Sequence, residues 1–98
     1  MKIKNTNIII TGASSGIGKQ LSIDLAKQGA NIILLSRNTE NLKKALKEAS
    51  KYSNLSSYYK CDVSKEDEVR KVFNKIIKRY KHVDIIINNA CIGIYKLF

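Results

Sequence analysis

Three glycines punctuate the stretch Thr11-Gly12-Ala13-Ser14-Ser15-Gly16-Ile17-Gly18. Without a side chain at 12 the backbone can turn tightly, and at 16 it can come close to a pyrophosphate. At 18 the missing side chain lets an incoming helix pack closely on a strand. Ser14 and Ser15 add hydroxyls and backbone amides where a helix N-terminus presents partial positive charge to an anion. This is chemistry for holding phosphate rather than for breaking bonds. A strand-turn-helix with no ligand is the competing reading. Glycine weakens such a segment by its backbone entropy, so three together argue that something approaches the main chain.

The elements that must position this loop are legible on both sides of it. Asn7-Ile8-Ile9-Ile10 is rich in β-branched residues and suits a strand buried on both faces of a parallel sheet. Behind the loop, Ile17, Leu21 and Leu25 recur at helical spacing from about Gly16 to Gln28, which predicts that they face the sheet with Ala26. Gly29 stands where a left-handed cap is wanted. Ala30 to Leu35 reads as a second buried strand, parallel to the first through a right-handed crossover. A second helix from Asn38 or Thr39 to Tyr52 carries Leu42, Ala45, Leu46 and Ala49 on one face. Ser57 to Cys61 is a short, mixed strand of edge type, with Tyr58 and Tyr59 on opposite faces. Ser64, with Asp67 three residues on, predicts a capping box for a third helix. Acids at 66–68, bases at 78, 79 and 81, and a stripe of Val69, Val72, Phe73, Ile76, Ile77 and Tyr80 complete its signature. Val83 to Ile87 is the fourth strand, and His82 is a surface residue of the turn before it.

The end of the second strand reads cofactor choice. A carboxylate there would bond the ribose 2′-hydroxyl of NAD, whereas this chain has Ser36 followed by Arg37. Guanidinium meets a 2′-phosphate with charge-assisted hydrogen bonds, which predicts NADP(H) in preference to NAD(H).

The Thr-Gly-x-x-x-Gly-Ile-Gly spacing resembles the short-chain dehydrogenase/reductase family, and Asn88-Asn89-Ala90 after the fourth strand is a second point of likeness. The resemblance implies an α/β, Rossmann-type parallel sheet, β-α-β-α-β-α-β with strand order 3-2-1-4, truncated after the fourth strand. Residues 1–98 then make a single dinucleotide-binding half-domain. It implies cofactor contacts at Gly12, Ser14, Ser15, Gly16, Ile17 and Gly18. It further implies that Asp62 accepts from the adenine amino group beside the Val63 backbone, and that Asn89 and Ala90 line the adenosine-ribose side. Cys91 stands where the family has glycine, so a side chain borders the cofactor path. In the family a tyrosine and a lysine spaced Tyr-x-x-x-Lys donate the proton that carbonyl reduction needs. No such spacing occurs here, so no catalytic residue is carried over. The function implied is hydride transfer between alcohols and carbonyls, this chain supplying the cofactor part as a fragment or a truncated product. A non-catalytic nucleotide-binding module is the alternative.

Composition removes other classes. The formal charge of +10 invites a nucleic-acid binder, but the lysines are scattered over every helix, so a solvated basic surface is expected and nucleic acid is not. No apolar run is long enough for a bilayer, and Met1-Lys2-Ile3-Lys4 leads directly into the first strand, which points to the cytoplasm. Cys61 and Cys91 form no metal pattern, and no metal is expected. In the 3-2-1-4 order they lie three strand steps apart, about 14 Å, so both are expected as free thiols. The fourth strand, with three isoleucines and an unpaired edge, is expected to self-associate or to pair with the missing half of the domain.

Overall fold

The computed structural model describes residues 2–13 and 16–89. Seven elements alternate along the chain. They are β1 (Asn7–Thr11), α1 (Gly16–Lys27), β2 (Asn31–Ser36), α2 (Thr39–Ser50), β3 (Ser57–Lys60), α3 (Glu66–Tyr80) and β4 (Ile85–Asn88). All three strand pairs are parallel and the order is β3-β2-β1-β4, the doubly wound arrangement expected from the sequence. Every residue of β1 is buried, as its isoleucine run requires of a strand with helices on both faces.

Strand alternation divides the core into two layers. Ile8, Ile10, Ile32 and Leu34 point to one face and pack with Ala26 of α1 and Leu42, Ala45 and Ala49 of α2. Ile9, Ile33 and Leu35 point to the other and meet Val72 and Ile76 of α3. Each such fully buried isoleucine or leucine contributes about 1.5–3 kcal/mol of transfer free energy. Tyr58 joins the first layer and Tyr59 the second, on opposite faces of β3 as expected.

Two local expectations are corrected. Ile17 does not face the sheet. It is 79% exposed, and the face of α1 that approaches the sheet is Gly18, Ser22 and Ala26. Small side chains at i, i+4 and i+8 let the helix axis come close, which turns Ile17 out and leaves Leu21 half-buried. Leu25 still packs against the first layer. The buried Ser22 hydroxyl is satisfied by donating to Gly18 O at 2.7 Å. Nor does Ser64 cap α3. The N-cap is Lys65, with no side-chain cap, because the Ser64 hydroxyl donates instead to Asp62 Oδ1 at 2.6 Å. The strand and helix limits also move by a residue or two: β1 continues to Thr11, α2 stops at Ser50, and β4 runs from Ile85 to Asn88.

At the N-terminal edge of the sheet a polar network ties the strands together. The Asn7 N–H donates to Asp84 Oδ2 at 2.7 Å and its amide to His82 O at 3.0 Å. Asn31 Nδ2 donates to Asn7 Oδ1 and Ser53 Oγ to Asn31 Oδ1, at 2.9 and 2.7 Å. His82 is exposed, as expected, and its Nε2 lies 3.3 Å from Asp84 Oδ2. This network brings β4 alongside β1, and so fixes what arrives at the opposite edge.

Candidate functional site

Because the four strands are parallel, their C-terminal ends fall together, and the loops that follow them share one edge. Register places Thr11 beside Leu35 and Asn88, and Ser36 beside Lys60. The strand order reverses at β1, with β2 and β3 on one side of it and β4 on the other, which is the position where open parallel sheets bind ligands. Gly12, Gly16, Ile17 and Gly18 follow β1; Arg37 follows β2; Asp62 and Val63 follow β3; Asn89 follows β4. Ser14, Ser15, Ala90 and Cys91 lie outside the described residues.

The loop after β1 shows why its glycines are required. Gly12 and Gly16 both have positive φ, +62° and +59°, which a side chain disfavours. Gly16 has open space where a Cβ would point, so the backbone there is free to be approached. Gly18 is the opposite case: a Cβ would collide with the carbonyl oxygen of Gly12 and the amide nitrogen of Asn89. The same two groups are joined by a hydrogen bond, Asn89 Nδ2 donating to Gly12 O at 3.2 Å. Thr11 Oγ1 donates to Asn88 Oδ1 at 2.8 Å. Thr11, named in the sequence only as part of the loop pattern, is thus one of the groups that couple β1 to β4. The two asparagines hold the sheet together at this edge.

At the second and third strand ends, the Cys61 N–H donates to Ser36 O at 3.0 Å, holding the two exits side by side. Ser36 Oγ accepts from the Asn38 N–H at 3.2 Å, and Asn38 Oδ1 caps α2 by accepting from Asn41 N–H at 3.1 Å. Asp62 Oδ1 accepts from both the N–H and the hydroxyl of Ser64, at 3.0 and 2.6 Å. Those bonds hold its carboxyl below the ordinary carboxylate range, and the nearby charges of Arg37 and Lys65 push in the same direction. Val63 packs against the second core layer. Cys61 is buried and free, and burial raises its thiol pKa, so it stays protonated and is no nucleophile. Among the described residues no cluster of His, Cys, Asp or Glu could hold a metal, and no helix is long and apolar enough to cross a membrane.

The edge therefore offers a bare backbone at Gly16, the N-terminus of α1, an arginine and an oriented carboxylate. That donor set suits a phosphate-linked dinucleotide.

A family model described as short chain dehydrogenase matches residues 6–98. An uncharacterized oxidoreductase of Listeria monocytogenes is 44% identical over 90 residues, covering 92% of this chain and 36% of its own length. A metagenomic short-chain oxidoreductase solved in complex with NADP superposes with a TM-score of 0.86 at 26% identity, over 95% of this chain and 42% of its own. An NAD+-bound xylitol dehydrogenase gives 0.83 at 28% identity, over 88% and 33%. The chain spans about a third of the length of the curated relatives it matches.

Proposed function

Since the chain belongs to the short-chain dehydrogenase family, we propose that residues 1–98 form the dinucleotide-binding unit of an oxidoreductase that uses NADP(H) in preference to NAD(H). Bound there, the nicotinamide supplies hydride exchange with an alcohol or carbonyl. The observation that carries this reading is the pairing of an open Gly16 backbone with a Gly18 locked under Gly12 and Asn89.

The roles follow the edge. Gly12, Ser14, Ser15, Gly16, Ile17 and Gly18 surround the pyrophosphate, with the α1 N-terminus offering its dipole to the negative charge. Ile17, exposed by the close approach of Gly18, covers the cofactor with an apolar side chain. Arg37 meets the 2′-phosphate, and no carboxylate stands at the end of β2 to repel it. Asp62, oriented by Ser64, accepts from the adenine amino group, with the Val63 backbone beside it. Asn89 and Ala90 line the adenosine-ribose side. Neither relative cofactor decides the preference, since one structural neighbour holds NADP and the other NAD+. Ser36 and Arg37, in place of a carboxylate at the end of β2, favour NADP(H).

Titration with NADPH and NADH tests it. NADPH should bind more tightly, and Arg37→Ala should erase the difference while leaving NADH binding in place. Equal curves for the two cofactors in the unmodified chain would refute the preference.

A further inference from the structure

The proposed reading assigns the 2′-phosphate to the end of β2, but β3 runs directly beside it. Ser36 and Lys60 are register partners on adjacent strands, about 4.8 Å apart. Alternation sends both side chains to the face of Leu34 and Tyr58, which is the face that carries α2. Lys60 is exposed and is the last residue of its strand, so its four-carbon stem is long enough to bring the ammonium over the Ser36 hydroxyl. Two residues further, Asp62 leaves the same strand end. The Cys61–Ser36 backbone bond keeps this exit against that of Arg37.

The remaining charges at this corner are already engaged. Lys65 Nζ lies 3.7 Å from Glu68 Oε2, and Glu68 Oε1 accepts from the Asp62 N–H at 3.4 Å. Arg37 at the exit of β2 and Lys60 at the end of β3 are the cations these two strand ends contribute, and Asp62 is the acid that follows Lys60. The Arg37 charge also helps hold the Asp62 carboxyl in its ionised form.

Resting on the dinucleotide reading of this edge, we propose that β3 also sets cofactor choice: Lys60 draws the 2′-phosphate, and Asp62 opposes it across Arg37. The adenine contact of Asp62 is common to NADPH and NADH and cancels in the ratio of their affinities. Only its charge against the 2′-phosphate remains in that ratio. For exposed groups about 4 Å apart in a water-like dielectric, one unit charge acting on a phosphate changes the ratio by about three- to tenfold. Screening at about 1 M salt should bring the ratio closer to one.

The experiment measures dissociation constants for NADPH and NADH on the full chain and on Lys60→Ala, Asp62→Asn and Lys44→Ala. Lys44 is an exposed α2 lysine that serves as a control for net charge. Lys60→Ala should lower the preference for NADPH by about three- to tenfold and Asp62→Asn should raise it by a similar factor, with Lys44→Ala unchanged. Asp62→Asn weakens both cofactors if the adenine contact is lost, yet the ratio still rises. A ratio that stays within about twofold in either site variant overturns the proposal. So does an equal fall in Lys44→Ala, which would assign the effect to net charge. Absence of dinucleotide binding by the unmodified chain overturns the reading of the edge itself, and this inference with it.

Discussion

Replacing Gly18 with alanine places a methyl group against the Gly12 carbonyl oxygen and the Asn89 amide nitrogen, both inside contact distance. The asparagine is a side chain and can withdraw; the carbonyl belongs to the backbone of a tight turn with φ +62° and cannot. Overpacking of this kind costs about 1–3 kcal/mol. Withdrawal of Asn89 also breaks its bond to Gly12 O, a loss of about 0.5–1.5 kcal/mol. Alanine recovers about 1 kcal/mol by its better helix propensity in α1. The net expectation is destabilisation by about 2 kcal/mol, the sum of these terms. Urea unfolding followed by far-ultraviolet circular dichroism reads it as a midpoint lowered by about 1–2 M with an unchanged m-value. Adding Asn89→Ala to Gly18→Ala should recover only part of the loss, because the carbonyl clash persists. A Gly18→Ala chain as stable as its parent would refute the close approach of α1, and with it the explanation for the exposure of Ile17.

Tyr80 gives a pH test. Burial raises its phenol pKa, although a hydrogen bond with Ser57 at 2.6 Å and the charge of Arg79 act the other way. The folded state therefore holds the proton more tightly than the unfolded state. The stability this contributes is complete below the unfolded value near pH 10 and is lost as pH rises through the folded one. Tyr80→Phe should flatten the fall of the urea midpoint as pH rises above about 10; parallel slopes for variant and parent would reject the assignment. At the sheet edge, β4 pairs only with β1 among the described residues, and Ile85, Ile86 and Ile87 are half-buried. Light scattering after size exclusion should show mass rising with concentration, despite the +10 charge. A sharp monomer at high concentration, unfolding cooperatively, would show that the edge is protected. These 98 residues should also give no carbonyl reduction above background with NADPH, as no Tyr-x-x-x-Lys is present. Turnover that co-purifies with the chain and disappears in Gly16→Trp would contradict this.

Much of the fold was legible because each signal is local and agrees with its neighbours. Isoleucine runs at 8–10, 32–33 and 85–87 mark strands, the first two buried and the third half-buried, and Gly29 marks a helix end with φ +92°. The stripe on α3 follows one period over four turns, and the Ser-Arg pair sits where a strand ends. Even so, local signals misplaced two groups. The helical spacing of Ile17, Leu21 and Leu25 is genuine, but spacing does not say which of two neighbouring stripes meets the sheet. Ser64 has the residue type of a cap, but not the freedom to be one while Asp62 accepts its hydroxyl.

What the sequence determined alone, then, is the set of elements, their parallel sense and the one loop whose glycines need an explanation. Periodicity, β-branching and backbone freedom are properties of short stretches, and they survive without knowledge of the partners. Only the tertiary structure decided which glycine is open and which is locked, since Gly16 and Gly18 are alike in sequence. They differ because Asn89, just past β4 and 77 residues beyond Gly12, returns to bond its carbonyl. It likewise decided that Lys60 and Asp62 stand beside Ser36 and Arg37, because register between strands is a long-range agreement among backbone hydrogen bonds. No residue pattern in either strand records it.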